Sequence, residues 1–171
     1  MAWSLKVSAS AARALCLPLL VLAGAALAEY TPTPPLEGVA PYAAAYDRNR
    51  DPQADFAEAA SAARAKNRRV LVIVGGDWCM WCFMLDRHVR LDPEAKSLLY
   101  EGFEVLRVYY NDDNTNQAFL ARFPPFEAFP HFFVVEPDGR IRASVLADIF
   151  IRDAKYDTAL IRGFVEQWRP K

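Results

Sequence analysis

The 171-residue sequence predicts an α/β domain with a mixed central sheet: a parallel βαβ half, then a C-terminal antiparallel hairpin, with helices on both faces. Three observations carry this prediction. Val70-Leu71-Val72-Ile73-Val74 and Phe103 to Tyr110 are continuous apolar runs of the kind buried on both faces of a sheet. Two helical stretches separate them, as a parallel crossover requires. Further on, the apolar runs Phe129 to Val135 and Arg140 to Leu146 are joined by Glu136-Pro137-Asp138-Gly139, a tight turn with glycine where positive φ is needed.

Each remaining element has a local cause. Asp51 caps a helix whose first position is Pro52 and which runs through alanine-rich sequence to Lys66, before Asn67. Gly75 and Gly76 end the first strand, and a second helix follows from about Trp78 to Val89. Asp92-Pro93-Glu94 repeats the cap-then-proline signal and starts a shorter helix to Tyr100. Asn111 to Asn116 is polar and turn-forming, Gln117 to Phe123 forms a short helix, and Pro124-Pro125 stops it. Leu160, Phe164, Val165 and Trp168 fall at helical spacing in a last helix from about Asp157 to Trp168.

The first 28 residues hold Lys6 and Arg13, no acidic residue, and an uncharged run from Ala14 to Ala28 ending in Ala26-Leu27-Ala28. This is the pattern of a secretory signal peptide cleaved near Ala28, and the run is too short for the roughly 20 residues that span a bilayer. The expected organisation is a signal peptide at 1–28, a proline-rich N-terminal linker or strap at 29–49, and a folded domain at 50–171. Removing the leader discards Cys16 and leaves 143 residues with 18 basic and 21 acidic side chains. A net charge of −3 without a Lys/Arg block excludes nucleic acid as a partner. The expected location is the periplasm or the extracellular space, the expected form a monomer.

Two cysteines remain, in Gly75-Gly76-Asp77-Trp78-Cys79-Met80-Trp81-Cys82, between the first buried strand and its helix. With a helix starting near Asp77, Cys79 lies in its first turn, where free N–H groups and the helix dipole favour thiolate. Cys82, three residues on, shares the helix face, so Cys79 attacks and Cys82 resolves. Bracing is a weak motive for this spacing, since closing a four-residue loop contributes only about 2 kcal/mol. A metal site completed by His88 fails on geometry, because six and nine residues of helix turn it about 120° and 180° away from the two cysteines. His88 reads as a surface or interhelical residue, and His131 as packed or solvent-facing.

These residues resemble the thioredoxin superfamily. The likeness runs over about residues 50 to 169 and rests on the apolar strand, Trp78-Cys79-x-x-Cys82 at a helix start, and Phe129-Pro130 opening the hairpin. The nearest likeness is to exported thioredoxin-like domains with Asp77-Trp78-Cys79 and a following Asp92-Pro93-Glu94 helix. The resemblance implies a thioredoxin-like fold, catalytic Cys79 and Cys82, and a Pro130 corresponding to the family's cis-proline, with Trp78, Trp81, Phe129 and Pro130 receiving the substrate. It also implies protein thiols or disulfides as partners, a membrane or periplasmic electron donor, and no cofactor or metal beyond the redox-active cysteine pair. Two departures stand out. Relatives commonly carry a buried carboxylate six residues before the nucleophile, where this chain has Ile73. Between the cysteines lie Met80 and Trp81, neither the Gly-Pro of thioredoxins nor the Pro-His of strong oxidants. The function expected is an exported thiol–disulfide oxidoreductase. The alternatives are a thioredoxin-fold protein-binding module built on Trp81, Phe126 and Phe129, and copper or zinc handling by the cysteine pair.

Overall fold

The computed structural model describes residues 33–171, together with Met1. The leader sequence and Cys16 lie outside the described residues. Four strands form the sheet: β1 (Arg69–Gly75), β2 (Phe103–Tyr109), β3 (His131–Val135) and β4 (Ile141–Leu146). They are ordered β2-β1-β3-β4, with β1 parallel to β2 and antiparallel to β3, and β3 antiparallel to β4. The inner strands β1 and β3 and the edge strand β2 are almost wholly buried, and β4, at the other edge, alternates between half-buried and exposed positions. This is the mixed sheet read from the apolar runs, with the two parallel strands and β3 buried and only β4 half open to solvent.

Helices cover both faces: α1 (Pro41–Ala44), α2 (Pro52–Ala65), α3 (Met80–Leu91), α4 (Pro93–Gly102), α5 (Gln117–Leu120) and α6 (Thr158–Trp168). Neighbouring residues of β3 show how the faces differ, because successive side chains point opposite ways. Phe132 packs against Phe150 and Phe164 of the α6 side, with ring centroids 5.2 and 6.2 Å away. Phe133 packs against Phe123 at 4.9 Å, and Phe123 continues through Phe119 to Phe56 on α2. The aspartate caps operate as their spacing predicts: Asp51 accepts from Gln53, Asp92 from Glu94 and Ala95, and Asp157 from Ala159 and Leu160.

The structure departs from the sequence reading in several places, among them the short helix α1 within the segment read as a linker and α5, which ends at Leu120 rather than Phe123. The second helix starts at Met80 rather than near Asp77 or Trp78, because the Cys79 N–H closes a turn on the Gly76 carbonyl at 3.2 Å and Cys79 keeps an extended backbone. The hairpin strands begin at His131 and Ile141 instead of Phe129 and Arg140, the former because Pro130 has no N–H to donate to a ladder. Residues 147–156, unassigned from sequence, form a 3₁₀ turn and a two-residue hairpin, β5 (Ile151–Arg152) with β6 (Lys155–Tyr156). That turn places Asp153 and Ala154 at positive φ, where no glycine announces it.

The described part of the proline-rich segment lies along the domain as a strap. The Leu36 N–H bonds the Ala44 carbonyl at 2.8 Å, Lys96 Nζ reaches the Glu37 carbonyl at 3.1 Å, and the Tyr42 hydroxyl donates to Glu104 at 2.6 Å. Leu36, Tyr42 and Ala43 are buried. The strap thereby carries Tyr46 to the carboxyl end of β1.

Candidate redox site

The site begins with two glycines that no larger residue can replace without moving a neighbour. A Cβ on Gly75 would come 2.5 Å from Cys82 Sγ and 3.1 Å from the Tyr46 hydroxyl, and one on Gly76 would come 2.4 Å from Trp78 Nε1. The strand end is therefore bare backbone, against which the cysteine turn folds closely.

Cys79 is the N-cap of α3, and its Sγ accepts the Cys82 backbone N–H at 3.2 Å. A helix N-terminus ordinarily takes a Ser, Thr or Asp oxygen there, so the sulfur occupies an anion-favouring position. Hydrogen bonding from the Cys82 side chain, helped by backbone N–H groups of Cys82 and Trp81 and opposed by burial, lowers the Cys79 pKa from 9.0 to about 7. Cys82 goes the other way: burial, then its proximity to the Cys79 sulfur, pushes its thiol far above the ordinary value. Both are buried free thiols, with Cys79 6% and Cys82 2% exposed. The N-cap placement corrects the expectation of a first-turn Cys79 but keeps its consequence, an asymmetric pair with one acidic and one protonated sulfur.

Around the pair, the residues singled out from sequence fall in two groups. Trp78 donates from Nε1 to the Tyr110 carbonyl at 2.7 Å and stacks edge-on to Phe129 at 5.3 Å. Phe129 also meets Tyr110 and Phe126, at 5.1 and 5.7 Å, which makes an aromatic wall on one side of the turn. Pro130 is buried behind it, after a cis Phe129-Pro130 peptide. Because Val74 pairs with His131, Pro130 sits at the same sheet end as Gly75 and the cysteine turn. Trp81 lies apart from this wall, edge-on to Tyr156 at 6.2 Å. Trp78, Met80, Trp81 and Phe83 are all large apolar side chains left exposed around the cysteines. Large apolar side chains left exposed beside a reactive pair are a protein-contact feature.

The two histidines stand outside the thiol chemistry. His88 Nε2 lies 2.9 Å from Thr158 Oγ1 and joins α3 to the start of α6. His131 is packed between Phe126 and Phe133, with Nε2 2.9 Å from Ser144 Oγ, and burial lowers its pKa. Among the described residues no group of three or more His, Cys, Asp or Glu side chains is placed to hold a metal ion.

Three site residues escaped the sequence reading. Ile73 is 2% exposed and apolar, as its position implied, and Arg107 is its partner on β2. Arg107 is buried in an ion pair with Asp86, donates to the Tyr100 hydroxyl at 2.9 Å, and places its guanidinium carbon 5.2 Å from the centre of the Tyr46 ring. Two signals were present in the sequence. A charged residue inside the run Phe103 to Tyr109 requires a buried counter-charge, and Asp86 stands four residues after Cys82 on the same helix face. Tyr46 carried no signal, since only the path of the strap brings it here.

A mixed α/β sheet with a Cys-x-x-Cys pair at the carboxyl end of its parallel strand, opposite a cis-proline, defines a domain of the thioredoxin fold. The family model described as thioredoxin-like matches residues 51–137, and the chain belongs to that family. A search of curated protein sequences finds no match. Among solved structures, a disulphide isomerase from Xylella fastidiosa Temecula1 superposes with a TM-score of 0.61 at 22% identity, covering 71% of this chain and 94% of that one. The DsbD C-terminal domain of Neisseria meningitidis superposes in its oxidised and reduced forms with TM-scores of 0.50 and 0.52, each at 22% identity over 70% of this chain and 97% of that one. Thioredoxin-like disulfide oxidoreductases typically need no cofactor.

Proposed function

We propose that the chain is an exported thiol–disulfide oxidoreductase acting on protein thiols and disulfides, with Cys79 as nucleophile and Cys82 as resolving thiol. The observation that carries the reading is the asymmetry of the pair: Cys79 at the helix N-cap with its pKa near 7, Cys82 buried beside it and protonated. In the reducing direction the Cys79 thiolate attacks one sulfur of a substrate disulfide, and the departing thiolate takes up a proton. Cys82 then gives up its proton and attacks the Cys79 sulfur of the mixed disulfide. The second substrate thiolate leaves and is protonated, two electrons having passed from the dithiol to the substrate. With an oxidised pair the same steps run backwards and oxidise a substrate dithiol. The wall of Trp78 and Phe129, with the Pro130 backbone and the outlying Trp81, receives the substrate. The leader at residues 1–28 supports export, where a disulfide partner and an electron donor at the membrane or in the periplasm are available.

The test is covalent capture. Incubated with a disulfide-bonded protein such as insulin, full-length chain carrying Cys82→Ala is expected to accumulate a mixed disulfide on Cys79 that dithiothreitol releases. The doubly substituted chain, with Cys79→Ser added, should form none. Absence of the adduct from a folded Cys82→Ala protein would favour a module that binds partners through Trp81, Phe126 and Phe129 without exchange.

A further inference from the structure

Resolution of the mixed disulfide depends on Cys82 becoming thiolate in a place that strongly opposes the charge. Burial raises its pKa, and β1 carries Ile73 where a carboxylate would assist. The groups acting on Cys82 are the Cys79 sulfur, the Gly76 backbone and the Tyr46 hydroxyl; Tyr156 also feels the cysteine pair, and Asp86, Asp148 and Arg107 act on the two tyrosines. Most are already engaged. Asp86 is paired with Arg107, and the Tyr156 hydroxyl donates to the Trp81 carbonyl at 3.1 Å. The Tyr46 hydroxyl is different. It is sealed from solvent and has no well-formed hydrogen bond, although the residue as a whole is half-buried. It lies over Gly75 on the side of Cys82 Sγ: a single methyl group on Gly75 would come 2.5 Å from that sulfur and 3.1 Å from the hydroxyl. A buried donor without an acceptor is costly, and a neutral thiol is a poor acceptor whereas a thiolate is a strong one.

We propose that Tyr46 is a positioning residue for the resolving step: its hydroxyl donates to the Cys82 sulfur as that sulfur becomes thiolate. The proposal rests on the assignment of Cys82 as the resolving thiol. In this step the Cys82 S–H proton passes to solvent, the Cys82–Cys79 bond forms, the Cys79–substrate sulfur bond breaks, and the departing substrate thiolate takes a proton back from solvent. Tyr46 remains a phenol throughout, because burial and the neighbouring Cys82 hold its pKa well above the ordinary value, the opposing pull of Arg107 notwithstanding. The Arg107 charge over the ring draws electron density from the phenol and makes the O–H a better donor. Tyr46 precedes the family match, which begins at residue 51, so the strap supplies this chain with a group that stands in for the absent β1 carboxylate.

The experiment uses full-length reduced protein and an aromatic disulfide that releases a coloured thiolate, once when Cys79 attacks and again when Cys82 resolves. Tyr46→Phe is expected to leave the first release within about twofold of wild type and to slow the second about tenfold, since a tenfold change corresponds to about one pKa unit. A second release as fast as wild type, or both releases slowed alike, overturns the proposal. An independent arm measures Cys82 alkylation against pH in a Cys79→Ser background, where Tyr46→Phe should raise the midpoint by about one unit. An unmoved midpoint overturns the proposal. This second arm reads the Tyr46–Cys82 contact even where wild-type protein gives no first release, a result that would refute Cys79 as nucleophile.

Discussion

Replacing Cys79 by serine is expected to lower the rate of insulin disulfide reduction by about 10⁴-fold or more, the scale on which removing a covalent nucleophile acts. A serine hydroxyl at the N-cap still accepts the Cys82 N–H, so the fold is retained while the attacking sulfur is lost. The accompanying pH signature is specific. With a Cys79 pKa of about 7, the thiolate is the minor form below that pH and the major form above it. Alkylation of wild-type protein should therefore rise with pH, pass half-maximum near 7, and level off above. In Cys79→Ser that phase disappears, leaving Cys82, whose burial holds it as a thiol to much higher pH. A midpoint at the ordinary thiol value of 9.0 would show that the N-cap contributes nothing.

The second large effect is on stability. Asp86→Ala removes the counter-charge of an arginine that is only 5% exposed and cannot shed its proton. Breaking a buried pair in this way costs about 3–5 kcal/mol, which lowers Tm by roughly 10–15 °C in a domain of this size. Converting both members to apolar residues, Asp86→Leu with Arg107→Met, should recover most of the loss, because no uncompensated charge then stays buried. Denaturant melts of the three proteins check this. A loss below about 1 kcal/mol for Asp86→Ala would mean that water reaches Arg107 and that the pair is a surface one.

The contrast between β1 and the strap shows what was legible in the sequence. Val70 to Val74 could only be a doubly buried strand, and Asp51-Pro52, Asp92-Pro93 and Asp157 announced three helix starts through side-chain caps that form as expected. The cysteine pair was legible for the same reason: local spacing, a strand before it and a helix after it. What depends on long-range placement was not. Tyr46 and Cys82 are far apart in the chain and meet only because Tyr42 and Leu36 bury the strap against the domain. The helix start was misplaced because the Cys79 sulfur itself serves as the cap, a role usually filled by oxygen. The small hairpin of β5 and β6 was missed because Asp153 and Ala154 adopt positive φ without a glycine to mark the turn.

In the proposed reaction Cys79 and Cys82 form a reversible dithiol–disulfide couple. The direct measurement is the redox equilibrium of the full-length protein in buffers of varied reduced and oxidised glutathione, with free thiols counted after acid quenching. The expected result is a single two-electron transition in which both thiols disappear together, about 30 mV of buffer potential changing the ratio tenfold. A pair that stays fully reduced or fully oxidised across the whole range, or that stops at a glutathione adduct on one cysteine, would contradict it.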